Sequence, residues 1–149
     1  MRPLYETQKD LFEESKIATA LSQLWNCNLF KMPKTSSVDF VSIRKGEAVG
    51  FVEIKKRTNK KNKYSTYMIS KKKIDSAKQL NRSTGLNTIL VVKWTDELGY
   101  VSLNKDYPER QGGRYDRNDP ADVETVVDID ILLFKNIGGV KNELLALRD

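Results

Sequence analysis

The chain has 149 residues, 39% hydrophobic and 31% charged, with 26 Lys and Arg against 20 Asp and Glu, a formal net charge of +6 and a pI of about 9.3. Such a length suits one domain, 1–149, with a core that needs no disulfides, and no apolar run approaches the roughly 20 residues needed to span a bilayer. There is no histidine and one cysteine, Cys27, which excludes an internal disulfide, Cys/His zinc sites and histidine-activated thiol chemistry; with no secretion-type apolar segment at Met1 to Glu6, a cytoplasmic setting in a bacterium or an infected host is expected.

Glu6 to Trp25 contains no Gly or Pro, and Leu11, Ile17, Ala18, Leu21, Leu24 and Trp25 recur at helical spacing to form one apolar stripe. Glu14 falls near the centre of that stripe, whereas Glu13 lies at its edge. An inward carboxylate needs a partner: a functional centre, a buried Arg or Lys, or a route for the side chain to reach solvent. Asp10, one turn earlier, competes for the same role.

Two stretches follow that are rich in β-branched and aromatic residues, Ser37 to Arg44 and Ala48 to Lys55. The link Lys45-Gly46-Glu47 is short and contains a glycine, so the strands are expected to form an antiparallel hairpin that brings Asp39 near Glu53. Alternation then puts Glu53 and Lys55 on one face, with Val52 and Ile54 on the other. Two partly buried carboxylates this close repel unless a divalent cation neutralises both, and oxygen ligands favour Mg²⁺ or Mn²⁺. Beside such an ion, Lys55 can orient a water and stabilise charge on a phosphate oxygen, which is the chemistry of phosphodiester hydrolysis. The plainer alternative is an exposed sheet face whose acids pair with the abundant lysines.

Beyond the hairpin the chain is strongly basic. Lys55, Lys56 and Arg57 run into Lys60, Lys61 and Lys63, and Lys71, Lys72 and Lys73 follow. Such a cluster attracts nucleic-acid phosphate with salt-sensitive affinity. Tyr64 and Tyr67, interleaved with these lysines, either stack on unpaired bases or pack back on the sheet.

Tyr67 to Ile69 reads as a short strand or extended lead-in, and Ser70 as the N-cap of a helix that ends at Thr84 before Gly85. Ile74, Ala77 and Leu80 define its inward side. Lys73 shares that side, pointing to the active centre or lying along the apolar surface, while Gln79 faces away. Asn87 to Trp94 is expected to be a strand covered on both faces, and Gly99 to Leu103 an edge strand. Tyr107 to Pro120 is expected to be an irregular loop, where Arg114 and Arg117 either clamp phosphates or pair with Asp116, Asp119 or Asp122. Val126 to Phe134 reads as a strand on which Asp128 and Asp130 share a solvated edge, and Val140 to Leu147 as a short helix. Neither GxGxxG nor GxxxxGK[ST] occurs, so no nucleotide cofactor is expected.

The order of these elements resembles the PD-(D/E)XK nuclease superfamily, with its restriction-endonuclease-like fold, and its small phage-encoded members in particular. The similarity runs over an αβββαβ core of about 5–102, a C-terminal extension following at 103–149. It is carried by Trp25-Asn26-Cys27 to Lys31-Met32-Pro33, Val38-Asp39, Phe51 to Arg57 with its Glu53-Ile54-Lys55, Tyr67 to Lys73, and Ile89 to Trp94. Val38 stands where the motif has proline. The resemblance implies an α/β fold with a central mixed sheet flanked by helices, and a Mg²⁺-dependent nuclease acting on DNA. It further implies metal ligation by Asp39, Glu53 and the backbone carbonyl of Ile54, help from Glu14, and catalysis by Lys55. Many relatives act as dimers, which leaves a homodimer open. The alternative is a DNA-binding or host-interaction protein that keeps the scaffold without cutting.

Overall fold

The computed structural model describes residues 8–113 and 123–137; the side chain of Asp10, the arginines Arg114 and Arg117, and the expected C-terminal helix lie outside the described residues. In chain order the elements are α1 (Gln8–Leu24), β1 (Asn28–Lys31), β2 (Phe40–Arg44), β3 (Glu47–Lys56), β4 (Thr66–Ser70), α2 (Lys71–Thr84), β5 (Thr88–Lys93), β6 (Leu98–Ser102), β7 (Glu109–Gly113), β8 (Val123–Asp130) and β9 (Lys135–Asn136).

A six-stranded sheet has the order β1-β2-β3-β5-β6-β9, and a three-stranded sheet has the order β4-β8-β7. Only β3 and β5 pair in parallel, which makes the larger sheet mixed and puts them at its centre. The expected β2–β3 hairpin forms. Its turn is only Lys45-Gly46, with φ of 52° and 79°, the left-handed pair that a two-residue hairpin turn demands. A register shift between Ser42 and Ile43 adds a bulge.

Two apolar layers sandwich the large sheet. On one side Ile17, Ala18 and Leu21 of α1 pack on Phe40, Val52, Ile54 and Val91. On the other, Ile74 and Ala77 of α2 join Leu90 and Val92 of the large sheet, and Trp94 just after β5, with Tyr67, Ile69, Val127 and Ile129 of the small sheet. The helix α2 starts and stops where its caps dictate: the Ser70 hydroxyl accepts from the Lys72 N–H at 3.2 Å, and Gly85, at φ 75°, closes the last turn onto the Asn81 carbonyl.

Several expectations are corrected. The segment Tyr67 to Ile69 is a strand, within β4, but it belongs to the small sheet, whereas β1 is an outer strand of the large one. Glu109 to Gly113, expected as loop, is a strand because β8 supplies its hydrogen-bonding partner. Gly112 is needed there, since a Cβ would sit 2.7 Å from a Val126 methyl carbon. The strand β8 is the middle of its sheet rather than a solvated edge. Asp128 pairs with Arg110 at 2.5 Å, and Asp130 caps the turn that follows by accepting from the Leu132 N–H at 2.9 Å. Likewise β6 is not an edge, because β9 pairs with it. No helix among the described residues is long and apolar enough to cross a membrane.

Candidate active site

The strand β3 sets the site by alternation. Val52 and Ile54 face α1, which turns Glu53 and Lys55 to the opposite face. Glu53 lies where β3 enters the centre of the sheet, paired with Leu90 of β5, and is 1% exposed.

Asp39 is not within a strand, as the sequence suggested, but is the residue before β2. Phe40 opposes Val52, so Asp39 falls opposite Glu53. Its Oδ2 accepts a hydrogen bond from the Ile54 N–H at 2.8 Å, fixing the carboxylate against the β3 backbone. The expectation that the hairpin juxtaposes Asp39 and Glu53 is met, through the backbone N–H of Ile54.

Burial, and secondarily the charge of Asp39, push the Glu53 carboxyl above the ordinary carboxylate range, while Lys73 and Lys55 pull it back. The Lys73 ammonium stands 2.6 Å from Glu53 Oε2 and donates to the Ser37 carbonyl at 3.1 Å. This settles the two readings of Lys73: it points into the site. Its attraction lowers the Glu53 pKa, but the ammonium is not aligned as a hydrogen-bond donor to Oε2, which is shut off from solvent with Lys73 as its charged neighbour. A buried carboxylate oxygen without a directed donor, next to a second carboxylate, is a donor set that suits a hard divalent cation.

Glu14 is half-buried on α1 and pairs with Lys31 of β1, whose ammonium is also 4.0 Å from Asp39 Oδ1. Glu14 therefore meets the acid pair through a lysine. The expected convergence of three acids is corrected accordingly: no group of three or more acidic, His or Cys side chains among the described residues is gathered to hold an ion. Lys31 was missed by sequence reasoning. No local signal marks it, because its role arises from β1 pairing beside Asp39, with Lys31 opposite Phe40.

The expected basic contacts divide into two sets. Lys56 pairs with Glu13 at 2.8 Å and Lys61 with Glu97 at 2.6 Å, so their charges are partly spent within the fold. Arg57 stacks on Tyr67, and Lys63 lies over Tyr64. Neither of these two cations, nor Lys60, has an acidic partner among the described residues, and Lys55 acts on Glu53 through its charge without forming a salt bridge. Of the two tyrosines, Tyr67 packs into the core and is 5% exposed, whereas Tyr64 is 59% exposed.

A mixed sheet between helices, with a buried Glu set opposite an Asp and followed by x-Lys on one strand, defines the architecture of a PD-(D/E)XK nuclease. The chain belongs to that superfamily: the family model described as "Phage putative PDDEXK endonuclease" matches residues 1–137. No curated protein sequence matches it. Among solved structures, the fold is similar to that of Hjc, a Holliday junction resolvase from Archaeoglobus fulgidus, at 13% identity and a TM-score of 0.59, covering 91% of this chain and 97% of that one. The expected fold class, an α/β restriction-endonuclease-like core with a central mixed sheet, is thereby met.

Proposed function

We propose that this protein is a divalent-metal-dependent nuclease that hydrolyses phosphodiester bonds in DNA. The observation that carries the reading is the buried Glu53 carboxylate held opposite Asp39, with the amine of Lys55 on the same face, acting on Glu53 through its charge without closing a salt bridge. Family membership supports the same reaction class.

In this reading Asp39, Glu53 and the Ile54 carbonyl hold Mg²⁺ or Mn²⁺. The bound ion supplies a Lewis acid that lowers the pKa of water and offsets charge on the phosphate. Lys55 donates to the attacking water or the phosphate oxygen, fixing its orientation and countering the developing negative charge. Glu14 acts at one remove, holding Lys31 beside Asp39. Arg57, Lys60 and Lys63 present positive charge to the flanking phosphates.

The test incubates the protein with plasmid, single-stranded, nicked and branched DNA in Mg²⁺, Mn²⁺ or EDTA. Cleavage is expected with either ion and none in EDTA. Lys55→Ala is expected to slow single-turnover cleavage about a hundredfold while leaving DNA affinity within about twofold, because the lysine acts mainly in the transition state. Binding without cleavage under every metal condition would instead select a DNA-binding or host-interaction protein on the same scaffold. The ion pairs of Lys73 and Lys31 with the three acids are the feature that favours that second reading.

A further inference from the structure

Beside the end of β3 opens a cavity of about 380 Å³, walled by Arg57, Tyr64, Tyr67, Met68, Trp94 and Arg110. Its volume is in the range of small-ligand sites. It continues the face that carries the acid and the lysine: residues 53, 55 and 57 alternate to one side, so Arg57 follows Glu53 at about 13 Å along the strand direction.

The cavity's polar groups are unevenly satisfied. Arg110 is matched by Asp128 and the neighbouring Lys61 by Glu97. Arg57, by contrast, stacks 4.8 Å from the Tyr67 ring centre and makes a 3.1 Å hydrogen bond to the carbonyl of Lys56, with no carboxylate partner among the described residues. A guanidinium left with spare donors in a concave site is suited to a phosphate oxygen. The Tyr67 hydroxyl is buried without a hydrogen-bond partner. Burial pushes its pKa up to about 12, so it stays a neutral donor and acceptor.

Tyr64 and Met68 keep much of their apolar surface open at the rim. An exposed aromatic ring next to an unmatched cation fits a nucleobase joined to its phosphate, since every base offers a face for stacking. A base inside a duplex has both faces covered by its neighbours. The site therefore suits a nucleotide that has left the stack.

We propose that this cavity binds one unpaired nucleotide of a DNA strand, with the base on Tyr64 and its phosphate at Arg57, while the strand continues toward Asp39 and Glu53. This rests on the nuclease reading for the position of the scissile phosphate. Its consequence is a substrate class: DNA with unpaired nucleotides, as in single strands, flaps or branches, is engaged ahead of continuous duplex.

The experiment is fluorescence anisotropy in EDTA, with the full chain and a labelled single-stranded oligodeoxynucleotide, compared with its fully paired duplex. Tyr64→Ala is expected to weaken single-strand binding about tenfold and duplex binding less than twofold, with Tyr64→Trp restoring the former. Arg57→Gln is expected to weaken binding of the single strand and to reduce its log-log salt slope by about 0.7, the loss of one phosphate contact. Thermal melting of each variant confirms that it is folded. Equal losses on both DNA forms, or single-strand affinity unchanged by Tyr64→Ala, overturn the proposal. Because binding is read without metal, a protein that grips unpaired DNA but never cuts refutes the nuclease reading and leaves this one standing.

Discussion

Glu53→Gln is expected to abolish metal-dependent cleavage, by about a thousandfold or more, and yet to melt at a higher temperature than wild type when metal is chelated. The activity loss follows from removing a charged ligand of the proposed ion, since metal assistance contributes several kcal/mol to transition-state stabilisation. The gain in stability follows from the direction of the Glu53 shift. A carboxyl whose folded pKa is raised contributes stability below its ordinary pKa and loses it as pH climbs through the folded value. Carrying the charge is therefore a net burden on the fold, because burial and Asp39 outweigh the attraction of Lys73 and Lys55. Glutamine keeps the shape and removes the charge, and Lys73 retains the Ser37 carbonyl at 3.1 Å. Melting in EDTA should show the variant above wild type at neutral pH, by a margin that widens as pH rises. The gap should close in mild acid. A variant less stable than wild type at neutral pH would mean that the Lys73 pair outweighs the burial cost.

The largest stability loss is expected at Trp94. This side chain is 2% exposed and meets Phe134 and Tyr67 edge-to-face, at 5.1 and 6.4 Å between ring centres. It follows β5 of the large sheet, and Tyr67 is on β4 of the small one, so the aromatic trio joins the two sheets. Trp94→Ala should cost about 3–5 kcal/mol, from lost transfer energy plus a cavity that a sandwich between sheets fills poorly. That is a large part of the stability of a typical domain. Denaturant titration should show the midpoint falling sharply, with the melting temperature about 10 °C or more below wild type. Single-strand binding should fall as well, because the indole is one wall of the cavity at Arg57. A loss under about 1 kcal/mol would show that the small sheet docks independently of this trio.

What could be read from the amino-acid order was local. The turn at Lys45-Gly46, the alternation of Glu53 and Lys55, and the caps Ser70 and Gly85 each depend on residues a few positions apart, and each is where the sequence pointed. The small sheet was illegible because β7, with its polar Glu109-Arg110-Gln111-Gly112-Gly113, becomes a strand only by pairing with β8 across the intervening chain. In the same way Asn28 to Lys31 has neither the β-branched content nor the alternation of a strand, and is held as one by β2. The site divides along this line. Asp39 and Glu53 were legible from a single hairpin, but Lys31 and Lys73 reach them from two other elements, and their pairing depends on tertiary packing that no spacing rule encodes. The reach of Glu14 was misjudged for the same reason: helical periodicity gives the side of α1 it occupies but not the lysine interposed before Asp39.

The ammonium groups of Lys31 and Lys73 make the acid pocket close to electroneutral on its own. Folding thus need not wait for an ion, unlike small domains whose ligand cages collapse only around zinc. On the proposed reading, uptake of a divalent cation would be a swap, in which the two amines give up their carboxylates. Each amine so released would add its positive charge to a surface that a polyanion has to approach.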